Sequence, residues 1–91
     1  MDAIIRQLNH VLDFMLENID DLPTVTTQHV AESFFSQGED LSLVHVRSLL
    51  DTLETHAELI QLKTDVWQLT LSGKLVAQLG GYVDELSDEE E

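Results

Sequence analysis

Leu59-Ile60-Gln61-Leu62-Lys63-Thr64-Asp65-Val66-Trp67-Gln68-Leu69-Thr70-Leu71-Ser72-Gly73-Lys74 is the stretch whose reading decides the fold. Ile60 and Leu62 alternate with Leu59 and Gln61, and Trp67 and Leu69 alternate with Val66 and Gln68, the period of two that marks strands. Lys63-Thr64-Asp65 supplies the connection, so the sequence predicts a β-hairpin with Trp67 as its central core residue. Leu69 closes the second strand pointing inward, Thr70 or Ser72 caps a last helix, and Gly73 lets that helix start close to its neighbours. Leu75, Val76 and Leu79 are expected to face inward, and Gly80-Gly81 to end the helix.

Upstream the period changes from two to between three and four. Ile4, Ile5, Leu8, Val11, Leu12, Met15, Leu16 and Ile19 give residues 3–19 one broad apolar helical face. That face suits core packing, and part of it is a candidate homodimer seam. Pro23 disfavours helical geometry at Leu22 and so separates this helix from the next. Thr26 then reads as an N-cap with Val25 and Val30 at the staple positions, and Val30, Ala31, Phe34 and Phe35 as the buried face. Gly38 is placed to stop that second helix. Ser42 repeats the capping device with Leu41 and Val46, and Leu43, Val46, Leu49, Leu50 and Leu53 continue at helical spacing to about Thr55. Two short helices around a Gly-containing turn make residues 27–55 a helix-turn-helix candidate.

The whole is α+β and mainly helical: three helices, a two-stranded hairpin and a C-terminal helix. That order is the order of the winged-helix domain. Trp67-Gln68-Leu69-Thr70-Leu71-Ser72-Gly73-Lys74 resembles the second wing strand and following turn of MarR- and PadR-like regulators, over roughly residues 3–81. The resemblance implies that the helix at 42–55 lies in a DNA major groove and that the 63–66 wing tip touches phosphate or the minor groove. Carried over by position, the contacting residues would be Ser42, His45, Arg47, Ser48 and Lys63, interrupted by Asp51, Glu54 and Asp65.

Charge argues against nucleic acid. Eighteen acids face four bases for a net charge of −14, and residues 1–83 alone hold −8. DNA affinity comes largely from several Lys and Arg residues on phosphate, so DNA binding is disfavoured here, whereas a basic protein partner is favoured. Three functions follow. The first is a non-catalytic protein-interaction or regulatory module, the second a DNA-binding regulator, dimeric through the first helix, using Arg47, Lys63 and His45. The third is a DNA mimic that occupies a DNA-binding protein's site, which would need its carboxylates in ordered rows. The tail, with Asp84, Glu85, Asp88, Glu89, Glu90 and Glu91, reads as a solvated, disordered segment following a domain at 1–83, and as an electrostatic aid to a basic partner.

Catalysis is not expected. No Cys is present, and the histidines at 10, 29, 45 and 56 never stand three or four apart, as a helical metal pair would require. No Gly-rich phosphate loop or nucleophile elbow occurs, and nothing implies a cofactor. No apolar run reaches the length of a membrane span, and the N-terminus lacks a basic leader, so a cytoplasmic protein is expected.

Overall fold

The computed structural model describes residues 3–82 of the 91-residue chain. In order they form α1 (Ala3–Glu17), β1 (Thr24–Thr26), α2 (Thr27–Phe35), α3 (Leu43–Thr55), β2 (Leu59–Lys63), β3 (Val66–Leu69) and α4 (Leu71–Gln78). The α+β, mainly helical reading holds, with one addition. The hairpin is not a two-stranded ribbon but two strands of a three-stranded antiparallel sheet, ordered β1-β3-β2.

The added strand is Thr24-Val25-Thr26, which pairs with β3 in the register Thr24↔Gln68, Val25↔Trp67 and Thr26↔Val66. Three β-branched residues suit a pleated surface. They are too few for alternation to declare itself, and Val25 and Thr26 read only as a staple residue and an N-cap. They fill those roles too, because Thr26 caps α2 in a reciprocal box. The Thr26 hydroxyl accepts from the His29 N–H at 3.1 Å, and the Thr26 N–H donates to His29 Nδ1 at 3.1 Å. A histidine ring thus stands where Glu or Gln usually closes the box.

The core is one cluster in which α1 contributes Leu8, Val11, Leu12 and Met15, and α2 contributes Val30 and Phe34. Val46, Leu49, Leu50 and Leu53 of α3 meet Val25, Leu59, Trp67 and Leu69 of the sheet. The helical period of α1 through α3 therefore places most of its apolar residues inward, with Ile4 at the start of α1 left 44% exposed. The first helix ends two residues short of the expected Ile19. Asn18 turns back there, its Nδ2 donating to the Phe14 carbonyl at 2.8 Å, while the Leu22 N–H reaches the Asn18 carbonyl.

Four inward assignments fail. Phe35 is 68% exposed at the end of α2, and Leu43 is 49% exposed in the first turn of α3. Leu75 and Leu79 are 53% and 86% exposed, while Val76 and Ala77 make the inward contacts of α4. The last two share a single cause, the phase set by Gly73. A Cβ at Gly73 would lie 2.2 Å from the Glu58 carbonyl oxygen and 2.7 Å from Leu69 Cδ1, so this side of α4 is pressed on the start of β2. At 100° per residue, Val76 and Ala77 fall near Gly73, whereas Leu75 and Leu79 fall on the far side. Thr70, not Ser72, caps the helix, accepting from the Gly73 N–H at 3.0 Å and donating to the Ala57 carbonyl at 2.8 Å.

No helix among the described residues is long and apolar enough to cross a membrane. The predicted acidic tail and its six acids, Asp84 to Glu91, lie outside the described residues.

Candidate functional site

The five residues singled out on α3 and the hairpin do not gather into one surface. Ser42 is exposed, but its hydroxyl is engaged as the N-cap of α3, accepting from the His45 N–H at 3.2 Å. His45 turns toward α1. Its Nε2 lies 2.9 Å from Gln7 Oε1, an acceptor, so the ring donates there. Gln7 is itself buried and sends its amide to Glu39 at 3.4 Å, and Glu39 is gripped by both terminal nitrogens of Arg6 at 2.9 and 2.8 Å. The chain His45–Gln7–Glu39–Arg6 fastens the start of α3 and the preceding loop onto α1.

Arg47 faces the hairpin turn instead. Its Nε and Nη2 donate to the two oxygens of Asp65 at 3.0 and 3.1 Å, the fork geometry of a bidentate pair. Asp65 sits with φ of +61°, and its Oδ1 also accepts from the buried Thr27 hydroxyl at 2.8 Å. That hydroxyl oxygen in turn accepts from the Trp67 indole N–H at 3.1 Å. One carboxylate therefore ties the turn to α3 and to the first residue of α2, and connects onward to the central core residue. Arg47, and Thr27 after it, hold the Asp65 carboxyl below its ordinary range. Ser48 is exposed, and its carbonyl accepts from the Thr52 hydroxyl. Lys63 is exposed and makes no ion pair among the described residues.

The exposed part of α3 that the sequence did not flag is apolar. Leu43 and Val44, the latter 74% exposed, occupy its first turn, and Phe35 lies across the connecting turn on α2. Side-by-side apolar residues alone give no signal of this, because the adjacent pairs Val11-Leu12 and Leu49-Leu50 are both buried.

A second arrangement escaped notice because its members lie far apart in sequence. His10 Nε2 is 3.0 Å from Ser33 Oγ, a pairing that invites comparison with a nucleophile and its base. The Ser33 hydroxyl, however, sends its proton to the Val30 carbonyl at 2.6 Å, so its oxygen accepts from the imidazole. A base that donates to the hydroxyl cannot deprotonate it. The His10 ring also packs against Phe34, with centroids 4.2 Å apart and the planes tilted by 42°. Among the described residues, no group of three or more His, Asp or Glu could hold a metal ion.

Burial holds the His10 imidazole below its ordinary value of 6.5, with the Glu39 and Asp13 carboxylates opposing the shift and Arg6 reinforcing it. The folded chain thus binds fewer protons than the unfolded one just below pH 6.5, and stability is lost as pH falls through that range. Glu39 adds a lower window. The bonds from Arg6 pull it from 4.5 to about 2, so its contribution is present above the unfolded value and lost as pH falls toward 2. The expected result is a urea midpoint that drops between pH 7.5 and 5.5, measured in about 0.5 M salt to screen repulsion among the acids. His10→Gln should flatten that slope, and a variant slope equal to the parent's would remove His10 as the cause.

Comparison of the chain with protein-family models, with curated proteins and with solved structures finds no match in any of the three.

Proposed function

We propose that this chain is a non-catalytic winged-helix domain acting as a protein-interaction or regulatory module whose partner is a basic protein. The order helix, strand, two helices, hairpin and helix supports the winged-helix reading, with α3 in the place of the recognition helix and residues 63–66 as the wing tip. The observation that carries the functional reading is the Arg47–Asp65 fork. Arg47 is the one cation on α3, and its guanidinium is neutralised by the wing's own carboxylate. Phosphate would have to displace Asp65 before Arg47 could bind it, against the field of a chain carrying −14. What α3 offers instead is Leu43 and Val44 in its first turn, with Asp51 and Glu54 two to three turns further along. An apolar patch with acids along the same helix suits a protein surface whose rim is basic.

A DNA titration at about 50 and 200 mM salt tests the reading. No binding is expected at either salt, for the parent or for Asp65→Ala, in which Arg47 is released. Binding by the parent that weakens with salt and vanishes on Arg47→Ala would replace this reading with that of a DNA-binding regulator.

A further inference from the structure

Charge is partitioned along the chain in a way the totals conceal. Residues 3–58 carry ten acids and two bases, whereas residues 59–82 carry one acid, Asp65, and two bases, Lys63 and Lys74. Among the described residues the hairpin and α4 therefore form a region of an intensely acidic molecule that presents almost no carboxylate, and Asp65 is already paired with Arg47.

The same part carries a row of exposed leucines. Leu71, Leu75 and Leu79, spaced four apart, are 73%, 53% and 86% exposed. They lie roughly 120–160° around the helix from Ala77, whose side lines a cleft with Asn9, His10 and Asp13 of α1. Past α4 the chain turns onto α1 as well. The Tyr82 N–H donates to Asn9 Oδ1 at 2.6 Å, Asn9 Nδ2 returns a bond to the Tyr82 carbonyl at 2.9 Å, and the Tyr82 hydroxyl bonds Glu58. Gly81 sits so close to Asn9 that a Cβ there would meet its side chain. Thus α1 occupies one side of α4, and the described chain through residue 82 leaves the leucine row uncovered. Ser72 and Gln78, both uncharged, flank it.

We propose that the Leu71–Leu75–Leu79 face is a self-association surface on which a second copy of this chain docks antiparallel, about a two-fold axis passing at Leu75. A row spaced evenly about its centre is self-complementary under a two-fold rotation, with Leu75 meeting its symmetry mate and Leu71 meeting Leu79 of the other copy. Charge selects the occupant. A basic partner gains nothing from a face without carboxylates, whereas a second copy, itself at −14, can approach only where neither side presents them. The α1 seam expected from the sequence is less suited, because its Leu8, Val11, Leu12 and Met15 are buried in the core. Three leucines and two polar neighbours make a contact at the small end of interface sizes, under about 1,200 Å² in total. The dimer is accordingly weak. Its association strengthens with salt, since screening removes repulsion between the acidic bodies, the opposite of what a basic partner or DNA would show.

Sedimentation velocity on the full chain at about 0.5 mM, in about 0.05 and 1 M NaCl, tests this. The dimer fraction is expected to rise with salt, and Leu75→Glu to weaken association at least about tenfold. A monomer at both salts, or a dimer indifferent to Leu75→Glu, overturns the proposal. The geometry has its own test, because the chain contains no Cys. Leu75→Cys is expected to oxidise to a linked dimer faster than Leu71→Cys or Leu79→Cys, as only a residue on the axis meets itself. Equal rates, or faster linkage through Leu62→Cys on the outer strand β2, would place the contact elsewhere and overturn it.

Discussion

Trp67→Ala is expected to cost about 4 kcal/mol, the range for removing a large aromatic from a closed core. Trp67 has no solvent exposure, faces Val25 and Gln61 across the two neighbouring strands, and is the largest of the fully buried side chains. A domain of this size is stable by about 4–12 kcal/mol in total, so the loss is a third or more of what there is. Equilibrium urea unfolding followed by far-UV circular dichroism measures it. A loss under about 2 kcal/mol would mean that the core collapses around the void and that Trp67 is not its centre. Trp67→Phe separates packing from hydrogen bonding. It retains most of the ring but leaves Thr27 without its indole donor, so a cycle with Thr27→Val should return a coupling of about 1 kcal/mol.

The second large effect runs against propensity. In an exposed helix interior, Gly→Ala ordinarily stabilises by about 0.5–1 kcal/mol. Gly73→Ala is expected to destabilise by about 3 kcal/mol, because the added carbon would stand 2.2 Å from the backbone oxygen of Glu58 and α4 must lift off the start of β2 to admit it. Backbone cannot rotate aside as the tip of a side chain can. Gly38→Ala is the control. It has nothing within 4 Å, and its φ of +88° costs an alanine about 1 kcal/mol. If Gly73→Ala proves the milder of the two by the same denaturation measurement, the close approach of α4 and β2 is not what fixes the helix.

The difference between these glycines also shows what the sequence could tell. Trp67, the caps at Thr26, Ser42 and Thr70, and the role of Gly73 were legible because each rests on a local rule about one residue and its near neighbours. The facing of Leu75 and Leu79 was not. Within α4, Leu75 and Val76 are adjacent and either phase keeps a helical period, so only the contact with Glu58, fifteen residues earlier, chooses between them. Strand β1 was missed because three residues carry too little pattern, and its partner lies on β3, more than forty residues away in sequence. In the candidate site, Arg47 and Asp65 each drew attention, but as a contact and an obstacle in parallel. Nothing in one sequence states that the two side chains meet. The pairing of His10 with Ser33 is non-local in the same way.

That distant strand has a kinetic consequence. The turn at Thr64-Asp65 joins β2 to β3 locally, and the helices close their own bonds, so these pieces form with little loss of chain entropy. Seating Thr24–Thr26 beside β3 instead closes a loop of roughly forty residues that contains α2 and α3. The entropy of that closure precedes the contacts that offset it: the ladder with β3, Val25 against Trp67, and the Thr27 bonds to Asp65 and Trp67. The docking of three residues, rather than the growth of any helix, is therefore expected to set the pace of folding, which stopped-flow refolding measures. Substitutions at Val25 should slow refolding, whereas substitutions on the outer turns of α4 should chiefly hasten unfolding.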